Sequence, residues 1–575
     1  MRIAVIEKNK CHPSQCGDYL CKRVCPVNRT GKECITEFNK KARIDEMLCI
    51  GCNICPKKCP FHAIHIINLP EELKEKPLHQ YGVNGFRVFK FPIPKFNAIT
   101  GILGKNGIGK TTILEIISGL LKPNLGHESA SYEELLEKLK GTEAYSYFEK
   151  LKNKELKVSY KPQRVEDIIS LYRGEVIDLL KKIDEKKQLD IISKELQIEN
   201  LFDHKIETLS GGELQKVAIA ATVLRNADIY IFDEPTSYLD IKERLRISKF
   251  IRSLVSRDKA IFVVEHDLIV LDYLTDFIHV MYGIPSVYGV ISQIKSSRNG
   301  INIYLDGFLK EENIRFRDKP ISFDILTSER VRSIQKLIEW PEIKKTLNSF
   351  TLESSPNCIN KKDVTGILGP NAIGKTTFMK ILAGEIKLDN FKESLTIAYK
   401  PQYTKPTEGI VRDVLRKCDI NQIKPLELDS LMNKKLTELS GGELQRVLIA
   451  KTLFEEADLY LLDEPSAYLD VEQRLIVSRL IKDNIFLKEK SALIVDHDIL
   501  FLDHIAINLM IFDGEPAKHG IIKGPFAMKD GMNTFLKNLN ITLRRDQDTK
   551  RPRINKLDSQ LDKQQKESGE YYYTN

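Results

Sequence analysis

The sequence predicts two α/β domains of the P-loop type in tandem, behind a small α+β domain rich in cysteine. Three observations carry that prediction. An apolar strand, a glycine loop and Gly-Lys-Thr-Thr occur together twice, at Gly104–Thr112 and at Gly369–Thr377. Seven identical residues, Leu-Ser-Gly-Gly-Glu-Leu-Gln, occupy Leu209–Gln215 and return at Leu439–Gln445; about twenty residues after each copy an apolar run ends in Asp-Glu-Pro. Nine of the eleven cysteines lie between Cys11 and Cys59.

At 575 residues the chain is too long for one hydrophobic core, so several domains are expected. No run of eighteen apolar residues is present, which predicts no transmembrane helix. Met1–Glu7 reads as a strand and lacks the apolar core of a signal peptide; a cytoplasmic location is expected. A net charge of +8 permits contact with nucleic acid without demanding it.

Residues 1–75 form the cysteine domain. Cys49-x2-Cys52-x2-Cys55-x3-Cys59-Pro60 has the spacing of a bacterial-type [4Fe–4S] ferredoxin. Upstream lies a stretched version, Cys11-x4-Cys16-x4-Cys21-x3-Cys25-Pro26. In two-cluster ferredoxins the cysteine before proline ligates the other cluster. Applied here, Cys25, Cys49, Cys52 and Cys55 hold one cluster, and Cys11, Cys16, Cys21 and Cys59 hold a second. A pair of zinc sites is the rival reading. Cys34 is left over, as a free or structural thiol. No flavin or nicotinamide motif accompanies these cysteines, so a structural or sensing role stands beside a redox one.

The first cassette is expected over 76–290. Gly104, Asn106, Gly107 and Gly109 let backbone N–H groups wrap phosphates at a helix amino terminus. Lys110 suits the β- and γ-phosphates, Thr111 suits Mg2+, and Thr112 closes the loop. Ile229–Phe232 is a buried-strand pattern ending in Asp233, a further Mg2+ partner, and Glu234, suited to polarising the attacking water. His266 closes another apolar strand, where it can touch the γ-phosphate. Gln163 suits the link between Mg2+, water and neighbouring domains. Tyr81 and Phe86 are candidates to stack on adenine, or core aromatics. In a P-loop protein an LSGGE segment binds the γ-phosphate of a nucleotide held by a different P-loop. Two copies therefore predict two composite sites: Lys110 with Ser440 and Gly442, and Lys375 with Ser210 and Gly212.

The second cassette, 331–525, repeats every part in order: Gly369, Asn371, Gly374, Lys375, Thr376, Thr377, Gln402, Asp463, Glu464 and His497, with Phe350 in the place of Phe86. Offsets of 230 residues for the signature serine and 231 for the histidine mark a true repeat. One difference stands out. Lys110 to Gln163 spans 53 residues but Lys375 to Gln402 only 27. The excess, about 128–157, reads as two amphipathic helices around Gly141. It is either a docking device or a surface elaboration.

A second repeat follows each cassette: Gly300–Leu305 leading to Asn313–Asp318, and Gly531–Leu536 leading to Asn540–Asp546. These define linkers at 291–330 and 526–575. Lys550, Arg551, Arg553 and Lys556 make a basic strip that lies either on RNA or on the other cassette. The polar composition of Gln560–Asn575 predicts a mobile tail.

Taken together, Cys49–Pro60 beside Gly104–Thr112, and the segment Gly300–Asp318, resemble subfamily E of the ATP-binding cassette (ABC) proteins. This is the ribosome-recycling ATPase of archaea and eukaryotes, also called RNase L inhibitor. The resemblance covers nearly the whole chain. It implies an α/β P-loop ABC-type ATPase with a ferredoxin-like amino-terminal domain, two [4Fe–4S] clusters, and Mg2+ with ATP at two composite sites. It also implies a monomer with intramolecular cassette pairing that splits ribosomes after termination or rescue, with a release factor or Pelota-type factor. The family stays on the small subunit, touches its rRNA and contacts initiation factors, without a membrane. Asp496 departs from the glutamate common before the second histidine, with little effect expected. Rival functions differ in class: ATP-coupled electron transfer, a transporter ATPase pair, or a DNA-repair ATPase, which the short spacing from loop to signature excludes.

Overall fold

The computed structural model describes residues 2–68, 76–127, 129–321, 323, 335–388, 395–403 and 405–573. The expected boundary at 75/76, the linker stretch 324–330, Glu128 and the last two residues of the tail lie outside the described residues.

The chain divides into two compact units. The first comprises Met1–Ser237, Phe250–Glu265 and Thr275–Lys319; the second comprises Tyr238–Lys249, His266–Leu274 and Pro320–Asn575.

In the first unit the amino terminus forms strand β1 (Arg2–Ile6), antiparallel to β4 (Ile64–Asn68), with a hairpin of β2 (Ile35–Phe38) and β3 (Lys41–Ile44) between them. Two short helices, Leu20–Val24 and Ile54–Lys58, carry cysteines, and each stops at a Cys-Pro step. The ring of Pro26 or Pro60 disfavours helical backbone at the residue before it. Cys25 and Cys59 are accordingly extended, with ψ of 119° and 114°.

The cassette sheet follows from runs of apolar, β-branched residues, which suit strands buried on both faces. In chain order its main strands are β5 (His79–Gln80), β6 (Arg87–Phe89), β7 (Ala98–Leu103), β8 (Val158–Lys161), β9 (Ile229–Asp233), β10 (Ala260–Val264), β11 (Phe277–Ile284) and β12 (Tyr288–Ile291). They pair in the order β5-β6-β12-β11-β7-β10-β9-β8. Strands β11, β7, β10, β9 and β8 are parallel. The glycine loop and both acids therefore meet at the carboxyl ends of β7 and β9, where open α/β sheets bind ligands.

The insertion is two helices, Tyr132–Leu139 and Glu143–Lys152. Ser131 and Glu134 form a reciprocal capping box that satisfies the first turn's N–H groups. Leu135, Tyr147 and Phe148 join the core that holds Ile113–Ile117, and the Tyr147 hydroxyl donates to the Ile117 carbonyl. The apolar faces of the insertion are spent on its own cassette.

The second unit repeats the sheet. Its order is Ile343–Leu347, Phe350–Ser354, His519–Ala527, Asn508–Glu515, Val364–Leu368, Ser491–Val495, Leu459–Asp463, Ile397–Lys400. Both linker repeats are a helix followed by a short hairpin: Ser297–Asp306 with Phe308–Leu309 and Ile314–Arg315, and Met528–Leu539 with Leu543–Arg545 and Pro552–Ile554.

The expected mobile tail is not what the structure holds. Gln560–Ser568 is a helix capped by Ser559, and the Tyr572 backbone bridges to Leu543. The Tyr572 hydroxyl donates to Asp503, and the Arg545 guanidinium lies 4.1 Å from the Tyr573 ring centre. The polar composition masked a run of tyrosines that anchors the end. Part of the basic strip also points inward: Arg551 is fully buried, and both it and Arg553 pair with Asp272.

Candidate functional site

Each phosphate loop owes its shape to its glycines. Gly109 and Gly374 both have φ of +97°, and a Cβ there would lie 2.7 Å from the Phe86 ring and 2.8 Å from the Phe350 ring. Only glycine suits both demands. Lys110 donates to the Gly104 and Lys105 carbonyls at 2.9 Å and to Asn106 Oδ1 at 3.4 Å. Lys375 donates to the Gly369 and Pro370 carbonyls at 2.7 and 2.6 Å. Burial lowers the Lys375 ammonium to about 8, against the pull of nearby carboxylates.

Next to each lysine stands a hydroxyl–carboxylate pair suited to Mg2+. Thr111 Oγ1 donates to Asp233 at 3.3 Å, and Thr376 Oγ1 donates to Asp463 at 2.8 Å. Burial raises the carboxyl pKa of both Asp233 and Asp463, a penalty that a cation would offset.

A glutamine and a glutamate among the catalytic candidates meet in each unit. Gln163 Nε2 donates to Glu234 Oε1, and Gln402 Nε2 to Glu464 Oε1, both at 2.7 Å. Glu234 and Glu464 have φ of +48° and +47°, backbone that a side-chain-bearing residue adopts only when its surroundings hold it there. Their N–H groups are fixed by the Val264 and Val495 carbonyls. In the second unit His497 Nε2 lies 3.5 Å from Glu464 Oε1. Burial, then the charges of Lys375 and Arg244, hold this imidazole well below its usual value, hence neutral. His266 is buried in the same unit.

Sequence reasoning passed over several supports. Gln215 and Gln445, the last residues of the signature, donate to the carbonyls of Glu234 and Glu464 at 2.6 and 2.7 Å. Buried Lys161 and Lys400 donate to the carbonyls of Asp233 and Asp463 at 2.8 Å. Both pairs recur at matching places in the repeat, which is the signal that finds them. Asp496 accepts from the backbone and hydroxyl of Ser466, as Glu265 does from Thr236; the departure preserves the contact.

Ser210 and Ser440 cap helices Gly211–Leu224 and Gly441–Leu453 in capping boxes with Glu213 and Glu443. Gly212 and Gly442 lie in the first turns. In the second unit the Asn371 backbone N–H donates to Asp240 at 3.0 Å.

Within the first unit a cavity of about 650 Å³ is lined by Tyr81, Phe86, Asn106, Gly107, Gly109 to Thr112, Gln163, Asp233 and Glu234. Tyr81 faces it and shares a 3.2 Å hydrogen bond with Thr112. The turn carrying Tyr81 and Phe86 is pinned to the cysteine domain by Asn84. That amide donates to the Ala4 and Ile44 carbonyls and accepts from the Ile44 N–H. Arg87 and the Ala4 N–H share Glu46 Oε1.

All eleven cysteines are free thiols. Burial pushes the Cys21 thiol up to about 11, with further push from Cys11, Cys16 and Cys59. It pushes Cys55 up to about 12, with Cys49, Cys21, Cys52 and Cys25 adding to it. Cys21 thus stands near sulfurs of both expected groups of four. Such packed sulfurs accept negative charge only beside a metal centre that takes it up, so the donor set fits iron–sulfur clusters. Among the described residues no three His, Cys, Asp or Glu converge as ligands of a single metal ion. Cys34 is buried beside Cys25 and Cys49, and its thiol points at the Asp45 carbonyl at 3.8 Å.

Comparison with known proteins agrees with this geometry. A family model described as ABC transporter matches residues 90–237 and 352–467. Another, a possible Fer4-like domain in RNase L inhibitor, matches 1–33. Translation initiation factor RLI1 of Saccharomyces cerevisiae is 44% identical, covering 100% of this chain and 98% of its own length. The chain belongs to the RNase L inhibitor family of ABC proteins. An uncharacterized ABC transporter ATP-binding protein of Methanocaldococcus jannaschii is 50% identical over 100% of this chain and 98% of its own. A solved structure of ribosome-bound archaeal Pelota and ABCE1 matches with TM-score 0.93 and 50% identity, over 100% of this chain and 99% of that one. An archaeal ribosome recycling factor in complex with the ribosomal stalk protein aP1 matches with TM-score 0.83 and 50% identity, over 88% and 100%. This RNase L inhibitor relative is therefore an ABC-type ATPase with an iron–sulfur domain. No helix among the described residues is long and apolar enough to cross a membrane.

Proposed function

We propose that the protein splits ribosomes into subunits after termination or rescue, acting with a release factor or a Pelota-type factor in the cytoplasm, and then remains on the small subunit. The observation that carries this is its likeness, over the full chain, to the archaeal relative solved on the ribosome with Pelota. ATP-coupled electron transfer has no comparable support.

The residues perform the hydrolysis as follows. The loop N–H groups and Lys110 or Lys375 bind the phosphates. Thr111 with Asp233, and Thr376 with Asp463, would hold Mg2+, which when bound would neutralise phosphate charge. Glu234 and Glu464 orient and polarise the attacking water; Gln163 and Gln402, at 2.7 Å, set the angle of each carboxylate. His266 and His497 contact the γ-phosphate. Tyr81 and Phe86, or Phe350, take the adenine. Each γ-phosphate is completed by the opposite signature, Ser440 with Gly442 or Ser210 with Gly212, so ATP favours closure and hydrolysis releases it.

Two [4Fe–4S] clusters complete the reading. Cys11, Cys16, Cys21 and Cys59 hold one; Cys25, Cys49, Cys52 and Cys55 hold the other. Their domain, 1–75, moves when the cassettes at 76–290 and 331–525 close, and the linkers at 291–330 and 526–575 and the insertion contact rRNA. Initiation factors are further partners. Co-sedimentation with purified small subunits tests the reading: retention with a non-hydrolysable ATP analogue, and less with ADP, is expected. No retention with either nucleotide overturns it.

A further inference from the structure

The amino-terminal domain does more than sit beside the first nucleotide cavity. Immediately after β1, Ile6 to Asn9 form part of the cavity wall. Lys8 is exposed, and its ammonium stands 3.1 Å from where a Cβ on Gly82 would be. Gly82 follows Tyr81, whose hydroxyl meets Thr112 at the start of the loop's helix. The hydrolytic end of the cavity lies at Asp233 and Glu234, so the Tyr81 end receives the base, the ribose and the first phosphate. Lys8 makes no ion pair with any carboxylate among the described residues, although Glu7 beside it is engaged by Lys10 and His65.

We propose that Lys8 is a nucleotide ligand of the first site, its ammonium contacting the α-phosphate of ATP or ADP across the cavity from the glycine loop, with Asn9 beside it. This rests on the reading of the cavity as a nucleotide site. The iron–sulfur domain is then part of the first site itself, and displacing that domain removes a cation from the nucleotide. The second cassette has no such domain ahead of it in sequence, so the two sites hold nucleotide unequally. A charge-assisted contact in a half-open cavity corresponds to an effect of about fivefold to tenfold.

The test uses the full-length protein with its iron–sulfur domain loaded, carrying Lys375→Ala so that the first site alone reports. Titration calorimetry with ADP, AMP and adenosine is compared for this parent and for added Lys8→Ala or Lys8→Arg; iron content confirms that the domain is intact. Lys8→Ala is expected to weaken ADP and AMP about fivefold to tenfold and leave adenosine unchanged, with Lys8→Arg restoring most of the loss. ADP binding by Lys8→Ala within about twofold of the parent overturns the proposal, as does an equal loss with adenosine. A parent that binds no ADP removes the nucleotide-site reading itself, a result distinct from both.

Discussion

Replacing Asn84 by alanine tests how firmly the cysteine domain is fastened to the turn that carries Tyr81 and Phe86. Asn84 is 4% exposed and makes three hydrogen bonds, to the Ala4 carbonyl and to both backbone groups of Ile44. At about 1 kcal/mol per bond the loss is about 3 kcal/mol. The residue also has φ of +54°, which alanine tolerates at a cost of about 1 kcal/mol more. The sum, about 4 kcal/mol, corresponds to exchange of the Ile44 amide faster by about 10³-fold. Asn84→Gly loses the bonds but not the backbone fit, and should give about 10²-fold. Hydrogen exchange read by mass spectrometry on peptides spanning residues 41–48, with peptides from β7 as the internal reference, measures both. Acceleration below about tenfold at Ile44 in the alanine variant, or equal acceleration in β7, would refute the assignment of Asn84 as the local pin.

Two further outcomes follow from the hydrolytic geometry. Glu234→Gln with Glu464→Gln keeps ATP binding and slows phosphate release by about 10² to 10⁴-fold; unchanged release in a single-turnover assay contradicts the role of these carboxylates. Lys375 is held at about 8 in the free protein, and a bound phosphate chain restores its ordinary value. ADP binding to a Lys110→Ala variant at pH 8 therefore takes up about half a proton, and almost none at pH 6.5. Affinity falls as pH rises above 8. Calorimetry in two buffers of different ionisation enthalpy measures the uptake, which should vanish in Lys375→Arg.

Much of the chemistry was legible because it needs contiguous residues. A phosphate cradle requires a stretch such as Gly104–Thr112 in one piece, and Gly369–Thr377 repeats that pattern without reference to packing. The cysteines were legible for the same reason, since their spacing reflects two helices that both stop before proline. What escaped was held by long-range contacts. Asn84 reads as a turn residue, and nothing local reveals that its partners are Ala4 and Ile44. Gln215 ends the repeated signature and Lys161 stands two residues before Gln163, but their roles depend on how β8 and β9 and the signature helix converge on Glu234. Nor does the polar composition of the carboxyl terminus reveal its anchor: Tyr572 closes on Asp503, 69 residues earlier.

The central claim is that nucleotide-driven closure of two cassettes separates ribosomal subunits. The direct measurement is light scattering or sucrose-gradient sedimentation of purified archaeal or eukaryotic ribosomes, mixed with the loaded protein, a Pelota-type factor and ATP. Loss of intact ribosomes and appearance of separate subunits, dependent on ATP and abolished in the Lys110→Ala, Lys375→Ala double variant, is the predicted result. Steady ATP hydrolysis with the ribosomes left whole would contradict the account.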